Sequence, residues 1–306
     1  MDESTFRVAF DNEGSKVVWH HVDGPDAPLK ELLLSHRFSL SFYDSSESGA
    51  LRAEFDDFQR FYAMRVYQMS WVKERGDSLR VSPFYIWSDR EAVISWAPDG
   101  SPAASGVQQK LKENPDWVQS STRLVYYLLD EVLGSLFPFL DQINDQIARL
   151  EQRALKRSQR GNIQAEVFRL KREILRTRRI LASMRDAVSQ VVRYWTANAA
   201  NDSFYYMELY DHMIRLFDTI DTYRELVNSV LDLYMSSVSN HMNEIVKTLS
   251  LVTTVLLPAS LVAALYGMNF DYLPLSHHRW GFLLIIAIIA VISGGLYWIF
   301  RRRRWI

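Results

Sequence analysis

Two apolar runs sit at the C-terminal end of a chain that is otherwise mixed in polarity. The later one, "GFLLIIAIIAVISGGLYWIF" from Gly281 to Phe300, passes twenty residues without a charge. At about 1.5 Å per residue that length spans a hydrocarbon core of about 30 Å. The earlier one, Ile245 to Tyr266, interleaves Leu249, Leu256 and Leu257 with Lys247, Thr248, Ser250, Thr253, Thr254, Pro258 and Ser260. A helix facing lipid all round has no use for those hydroxyls, whereas a face lining a watery cavity carries them at little cost. The later run therefore predicts a lipid-embedded helix and the earlier one a pore-lining helix; the plainer use of its small residues is close helix packing.

Upstream, residues 139–257 contain no proline and a single glycine, Gly161, which predicts almost continuous helix. Gly161-Asn162 reads as a turn between antiparallel helices, and "TANAANDS" at 196–203 as the next break. A third helix then begins near Asp202 and runs without interruption into the first span, on the order of 100 Å. Met213, Phe217, Ile220, Val227, Leu231, Tyr234, Val238 and Ile245 recur along it at helical spacing, the pattern of a packed seam. The first 115 residues differ: "VVWHHV", "FQRFYAMRVYQMSWV", "LRVSPFYIW" and "EAVISWA" read as short strands, with a helix at "DAPLKELLLSH". His20 and His21, adjacent in one strand, point to opposite faces and make poor co-ligands.

Charge and composition narrow the function. The net charge is −1 and there is no cysteine, which excludes disulfides and thiolate chemistry. Residues 156–180 carry nine Lys or Arg against Glu166 and Glu173, whereas 202–232 carry seven Asp or Glu against Arg215 and Arg224. Without interleaved aromatics the basic stretch is better read as a helix lying against the acidic one than as a nucleic-acid patch. No glycine-rich phosphate loop, G-x-S-x-G elbow or H-E-x-x-H is present, so no enzyme is expected and no cofactor. The acidic start "MDESTFRVAF" has no apolar core and does not read as a signal peptide. Four arginines and a tryptophan after the last run place the C-terminus, and with two spans also the N-terminus, on the cytoplasmic side.

The stretch "YMSSVSNHMNEIVKTLSLVTTVLLPASLVAALYGMNF", residues 234–270, followed by a second span and a basic tail, resembles the CorA family of divalent cation channels, the 2-TM-GxN superfamily with a Gly-Met-Asn signature in the outer loop. The resemblance implies an α/β N-terminal cytoplasmic domain over 1–115, a cytoplasmic helical hairpin over 116–201 and a stalk helix over 202–244. It continues with a pore-lining span at 245–266, an outer loop at 267–280, a second span at 281–300 and a basic cytoplasmic tail at 301–306. It further implies a homopentamer in the inner membrane that passes Mg²⁺ and related divalent cations such as Co²⁺ and Ni²⁺. Gly267, Met268 and Asn269 would form the selectivity loop, and Asn243, Val246, Leu249, Thr253, Leu257 and Ser260 would face the pore. Asp232 and Glu208 fall where the family places metal-responsive carboxylates.

One departure bears on the ion. Where Mg²⁺ channels of the family carry an acidic "MPEL", this loop reads "DYLPLSHHRW", with Leu275 in place of the glutamate and His277-His278 nearby. Imidazole suits Zn²⁺ more than Mg²⁺, and the loop in that respect resembles the ZntB branch, for which proton-coupled Zn²⁺ transport is the alternative. A membrane-anchored scaffold with a non-conducting pore is the alternative from a different class.

Overall fold

The computed structural model describes residues 5–12, 15–24, 27–45, 51–72, 78–114, 117–118, 120–155, 163–198, 203–268 and 280–303. Contacts divide the chain into two units, Met1–Leu233 and Tyr234–Ile306. In the first, six strands form one sheet: β1 (Thr5–Asn12), β2 (Ser15–Asp23), β3 (Glu54–Asp57), β4 (Tyr62–Val72), β5 (Ser78–Ser88) and β6 (Ala92–Ala97). Their order is β1-β2-β6-β5-β4-β3, antiparallel throughout except for the parallel pair β2 and β6. The four strand-like stretches of the sequence are β2, β4, β5 and β6; the two strands not picked out there, β1 and β3, are the two edges.

The central strands bury both faces because helices cover both, and β6 is buried at every position. On one side α1 (Ala27–Ser35) and α2 (Ser41–Ser45) bring Leu29, Leu33, Phe42 and Tyr43 against Val22, Ala63, Tyr85, Trp87, Ile94 and Trp96. On the other, α4 (Ser121–Gly134), α5 (Leu136–Leu155) and α6 (Ile163–Asn198) pack on the central and β3-side strands, preceded by α3 (Pro102–Glu113). Ser101 starts α3 and Ser120 starts α4, each hydroxyl accepting from the backbone N–H three residues on. Gly161-Asn162, the expected turn, lies outside the described residues; the helices on either side of it end at Leu155 and begin at Ile163.

Helix α7 runs from Ser203 to Tyr266, 64 residues, and continues through Pro258. Its first half buries Tyr206, Leu209, Met213, Leu216, Ile220, Val227 and Val230, a seam at spacings of three and four or their sum. Met213, Ile220 and Val227 of the expected seam are in it; Phe217, Leu231, Tyr234 and Val238 are half-buried and Ile245 is exposed. The charge contrast is satisfied within the chain: the Arg178 guanidinium of α6 donates twice to the Asp221 carboxylate of α7. That pairing holds Asp221 below the usual carboxylate range and raises Arg178, two directions that agree. Arg178 and Arg185 also lie over the Phe217 ring, at 5.0 and 4.7 Å from its centroid.

His20 and His21 are structural and face opposite ways. Trp19 Nε1 donates to Ser95 Oγ, which sits 2.7 Å from His21 Nδ1, and His21 Nε2 sits 2.9 Å from Asp23 Oδ1. His20 packs instead against His36, ring centroids 5.2 Å apart. Burial, then the His36 and Arg7 charges, lower the His20 pKa to about 4 from 6.5. An unfolded chain takes up a proton below about 6.5 that the folded one refuses until about 4, so stability falls as pH drops through that window. Unfolding midpoints measured from pH 7 to pH 4 should therefore decline less steeply in His20→Gln than in the parent; identical slopes would remove His20 as a cause.

Candidate functional site

Among the described residues two helical segments are long and apolar enough to cross a membrane, and both lie in the second unit: the C-terminal part of α7, and α8 (Gly281–Arg302). Their contact is recorded by Ser293 Oγ, which donates to the Val255 carbonyl at 3.2 Å. Val255 lies eleven residues before the end of α7 and Ser293 twelve after the start of α8, the match of an antiparallel hairpin.

That contact orients α7. At about 100° per residue, Leu251, Val255, Pro258, Ala259, Val262 and Tyr266 fall within one arc of about 100°, and these are the half-buried residues of the span. Asn243, Val246, Leu249, Thr253, Leu257 and Ser260 fall within an arc of about 120° centred on the opposite side. All six are exposed, Leu249 and Leu257 at 65%. The residues expected to face a pore thus form one stripe, turned away from α8.

Along this helix the hydroxyls are occupied locally: Thr248, Thr253 and Thr254 each donate to the carbonyl four residues back. Pro258 has no N–H to give the Thr254 carbonyl, so the ladder is interrupted midway along the span. Helix α7 then ends with Gly267 N–H donating to the Ala263 and Ala264 carbonyls, at 3.0 and 3.2 Å. Gly267 does not adopt left-handed backbone, and a Cβ there would meet only ordinary contacts with those carbonyls. The end of the helix is therefore made with backbone any residue adopts. Gly267 and Met268 are exposed. Asn269, His277 and His278 lie outside the described residues.

The two carboxylates expected to respond to metal stand in different surroundings. Asp232 is exposed on α7. Glu208 accepts a hydrogen bond from the Tyr126 hydroxyl of α4, at 3.1 Å. One turn further along both helices, Asp130 Oδ1 and His212 Nδ1 are 3.1 Å apart, and burial raises the Asp130 pKa. Nothing in the sequence marked this second pair, because its members come together only when α4 and α7 pack side by side. Among the described residues no group of three or more His, Asp or Glu side chains is placed to hold a metal ion.

Residues 14–302 match the family described as CorA-like Mg²⁺ transporter protein. The cobalt/magnesium transport protein CorA of Thermotoga maritima is 33% identical over 184 residues, 60% of this chain and 52% of that protein. The match therefore spans about half the length of that relative. The complete structure of the CorA magnesium transporter from Methanocaldococcus jannaschii superposes with a TM-score of 0.80 over 98% of this chain and 99% of that one, at 23% identity. The ZntB cytoplasmic domain from Vibrio parahaemolyticus superposes with a TM-score of 0.62 over 73% of this chain and 88% of that one, at 15% identity. At those identities the likeness speaks to the fold.

The stripe on α7 is open to direct chemical mapping, since the chain has no cysteine of its own. With single cysteines at 243, 246, 249, 253, 257 and 260, a membrane-impermeant thiol reagent should label these positions at least tenfold faster than cysteines at 251, 255 and 262. Equal rates on the two faces would overturn the orientation of α7.

Proposed function

The chain belongs to the CorA-like Mg²⁺ transporter family, and we propose that it is a homopentameric channel of the inner membrane passing hydrated divalent cations, with both termini cytoplasmic. Members of this family are ion transporters and not enzymes. The observation that carries the reading is the single-faced stripe of Asn243, Val246, Leu249, Thr253, Leu257 and Ser260, opposite the face that meets α8. Five copies of α7 arranged about an axis would line it with amide, apolar and hydroxyl rings in succession.

The chemistry of those rings suits the cargo. Mg²⁺ surrenders its water reluctantly, so a path that accepts hydrogen bonds from the hydration shell needs no cage of carboxylates. Rings of Val246, Leu249 and Leu257 close such a path by excluding water when narrow. The ion's own charge supplies the drive, roughly 4.6 kcal/mol for a divalent cation per 100 mV. Asn269, next to Met268 in the sequence, would offer its amide oxygen as a neutral ring that binds a hydrated ion weakly enough to release it.

Divalent cation flux into proteoliposomes tests the reading. Asn269→Ala should leave the oligomer assembled, by mass in mild detergent, while reducing Mg²⁺ flux at least tenfold. Undiminished flux would refute the selectivity-loop assignment, and no flux from the parent for Mg²⁺, Zn²⁺, Co²⁺ or Ni²⁺ would favour the scaffold.

A second reading, Zn²⁺ transport, is favoured by one specific observation: Leu275 stands where Mg²⁺ channels carry a glutamate, and His277-His278 follow. If these imidazoles concentrate Zn²⁺ at the mouth, replacing both with Ala lowers Zn²⁺ flux and spares Mg²⁺. Lowering the pH through about 6.5 does the same by protonating them. Equal effects on both ions would dismiss the Zn²⁺ reading.

A further inference from the structure

The acidic face of α7 accounts for only part of the basic stretch on α6. Arg178 reaches Asp221. Arg169 stands nine residues earlier, which at about 100° per residue puts it on the opposite side of α6. There α5 and α6 border a cleft of about 160 Å³. Gln146, Arg149, Leu150 and Arg153 line it from α5, at the i, i+3, i+4 and i+7 positions of one helical face. Glu166, Arg169 and Leu170 line it from α6. Leu150 and Leu170 are buried, so the polar groups surround an apolar base.

Three guanidinium groups thus border one small space with a single carboxylate among them. Arg153 Nη1 and Nη2 donate to the two Glu166 oxygens, a two-point pair that joins the helices and neutralises Glu166. Three of the five N–H groups of Arg153 remain. Arg149 and Arg169 have no such counterpart: among the described residues neither lies within ion-pair distance of a carboxylate. Acids are near enough along the chain, Asp145 four residues before Arg149 and Glu173 four after Arg169, yet neither is engaged. Glu173 instead keeps Oε2 buried and without a hydrogen-bond partner. The cleft therefore presents two uncompensated cations from facing helices beside one neutralised pair.

We propose that this cleft binds a phosphate group, held by Arg149 and Arg169 from its two walls, with Arg153 and the Gln146 amide as further donors. Phosphate offers acceptor oxygens on every side, and guanidinium forks meet it in two-point geometry. Near neutral pH its charge approaches −2, which balances the two unpaired arginines. The space is small enough for one tetrahedral anion to touch both walls, and too small for the rest of a nucleotide or a lipid, which would remain outside. Inorganic phosphate and a phosphomonoester headgroup share this chemistry. The inference stands on the α5–α6 cleft alone and does not depend on which ion passes the membrane.

Equilibrium dialysis of the full-length protein in mild detergent against radiolabelled inorganic phosphate tests the cleft. The buffer is kept free of divalent metal, so that phosphate held through a bound cation is not counted. The parent should bind phosphate saturably, once per subunit. R149Q/R169Q should weaken binding at least tenfold, since each charge-assisted contact is worth about a factor of ten. R172Q/R176Q removes the same charge from exposed positions of α6 outside the cleft and should stay within about twofold. R149K/R169K, which keeps the charge and loses the fork, should fall between the two. No saturable binding by the parent overturns the proposal, and so does an equal loss in both glutamine pairs, which would reduce the effect to a general positive field. Competition with short-chain phosphatidic acid separates the sources. Displacement at lower concentration than inorganic phosphate requires assigns the site to a lipid headgroup; displacement only at equal or higher concentration, or none, assigns it to free phosphate. Should R149Q/R169Q fail to assemble at the parent's mass, Arg169→Gln compared with Arg172→Gln decides by the same measure.

Discussion

In hydrocarbon a backbone polar group has no water to fall back on, and that one constraint organises the C-terminal unit. It allows two continuous helices and little else between Ile245 and Arg302. It also makes each exception informative. Pro258 leaves the Thr254 carbonyl without its helical donor, and Thr254 lies at one margin of the stripe that carries Thr253 and Ser260. A released carbonyl and a line of hydroxyls are tolerable where water or another subunit can meet them, and costly against lipid. The polar face of α7 and its contact with α8 are therefore two consequences of the same rule: Ser293 gives its hydroxyl proton to the Val255 carbonyl on the covered face, and Asn243, Thr253 and Ser260 stand exposed on the opposite one.

The large N-terminal unit answers to a different demand, which is to hold the start of a 64-residue helix firmly. Apolar burial along Tyr206, Leu209, Met213, Leu216 and Ile220 does most of this, since each fully buried large side chain contributes roughly 1.5–3 kcal/mol. The Arg178–Asp221 pair, about one third exposed on both sides, adds direction more than energy. Tyr126–Glu208 and Asp130–His212 repeat at one-turn spacing on both α4 and α7 and so fix how far one helix can slide along the other.

Much of this was legible in order along the chain, because the signals were local. Twenty uncharged residues, a run of more than a hundred without proline, and strands rich in aromatic and β-branched residues each state their own structure. The hydroxyls among the leucines of 245–266 already pointed to a face unlike the rest. The opposite charges of 156–180 and 202–232 anticipated that one helix lies on the other, and Arg178 on Asp221 realises it. The two edge strands were missed: β3 is four residues with a single apolar side chain, Phe55, and the alternation of Phe6, Val8 and Phe10 in β1 was passed over because it lies in the acidic start of the chain.

What the sequence determined by itself was therefore the kind and length of each element, and through "YGMNF" after a proline-bearing span, the family. The tertiary structure decided what depends on two elements at once. That Glu208 is engaged by Tyr126 while Asp232 stays open is set by the packing of α4 on α7. Which side of α7 turns away from α8 follows from a single hydrogen bond between residues 38 positions apart. Periodicity specifies a face but not its neighbour, because the period of a helix is an internal property and its partner is a choice made by packing.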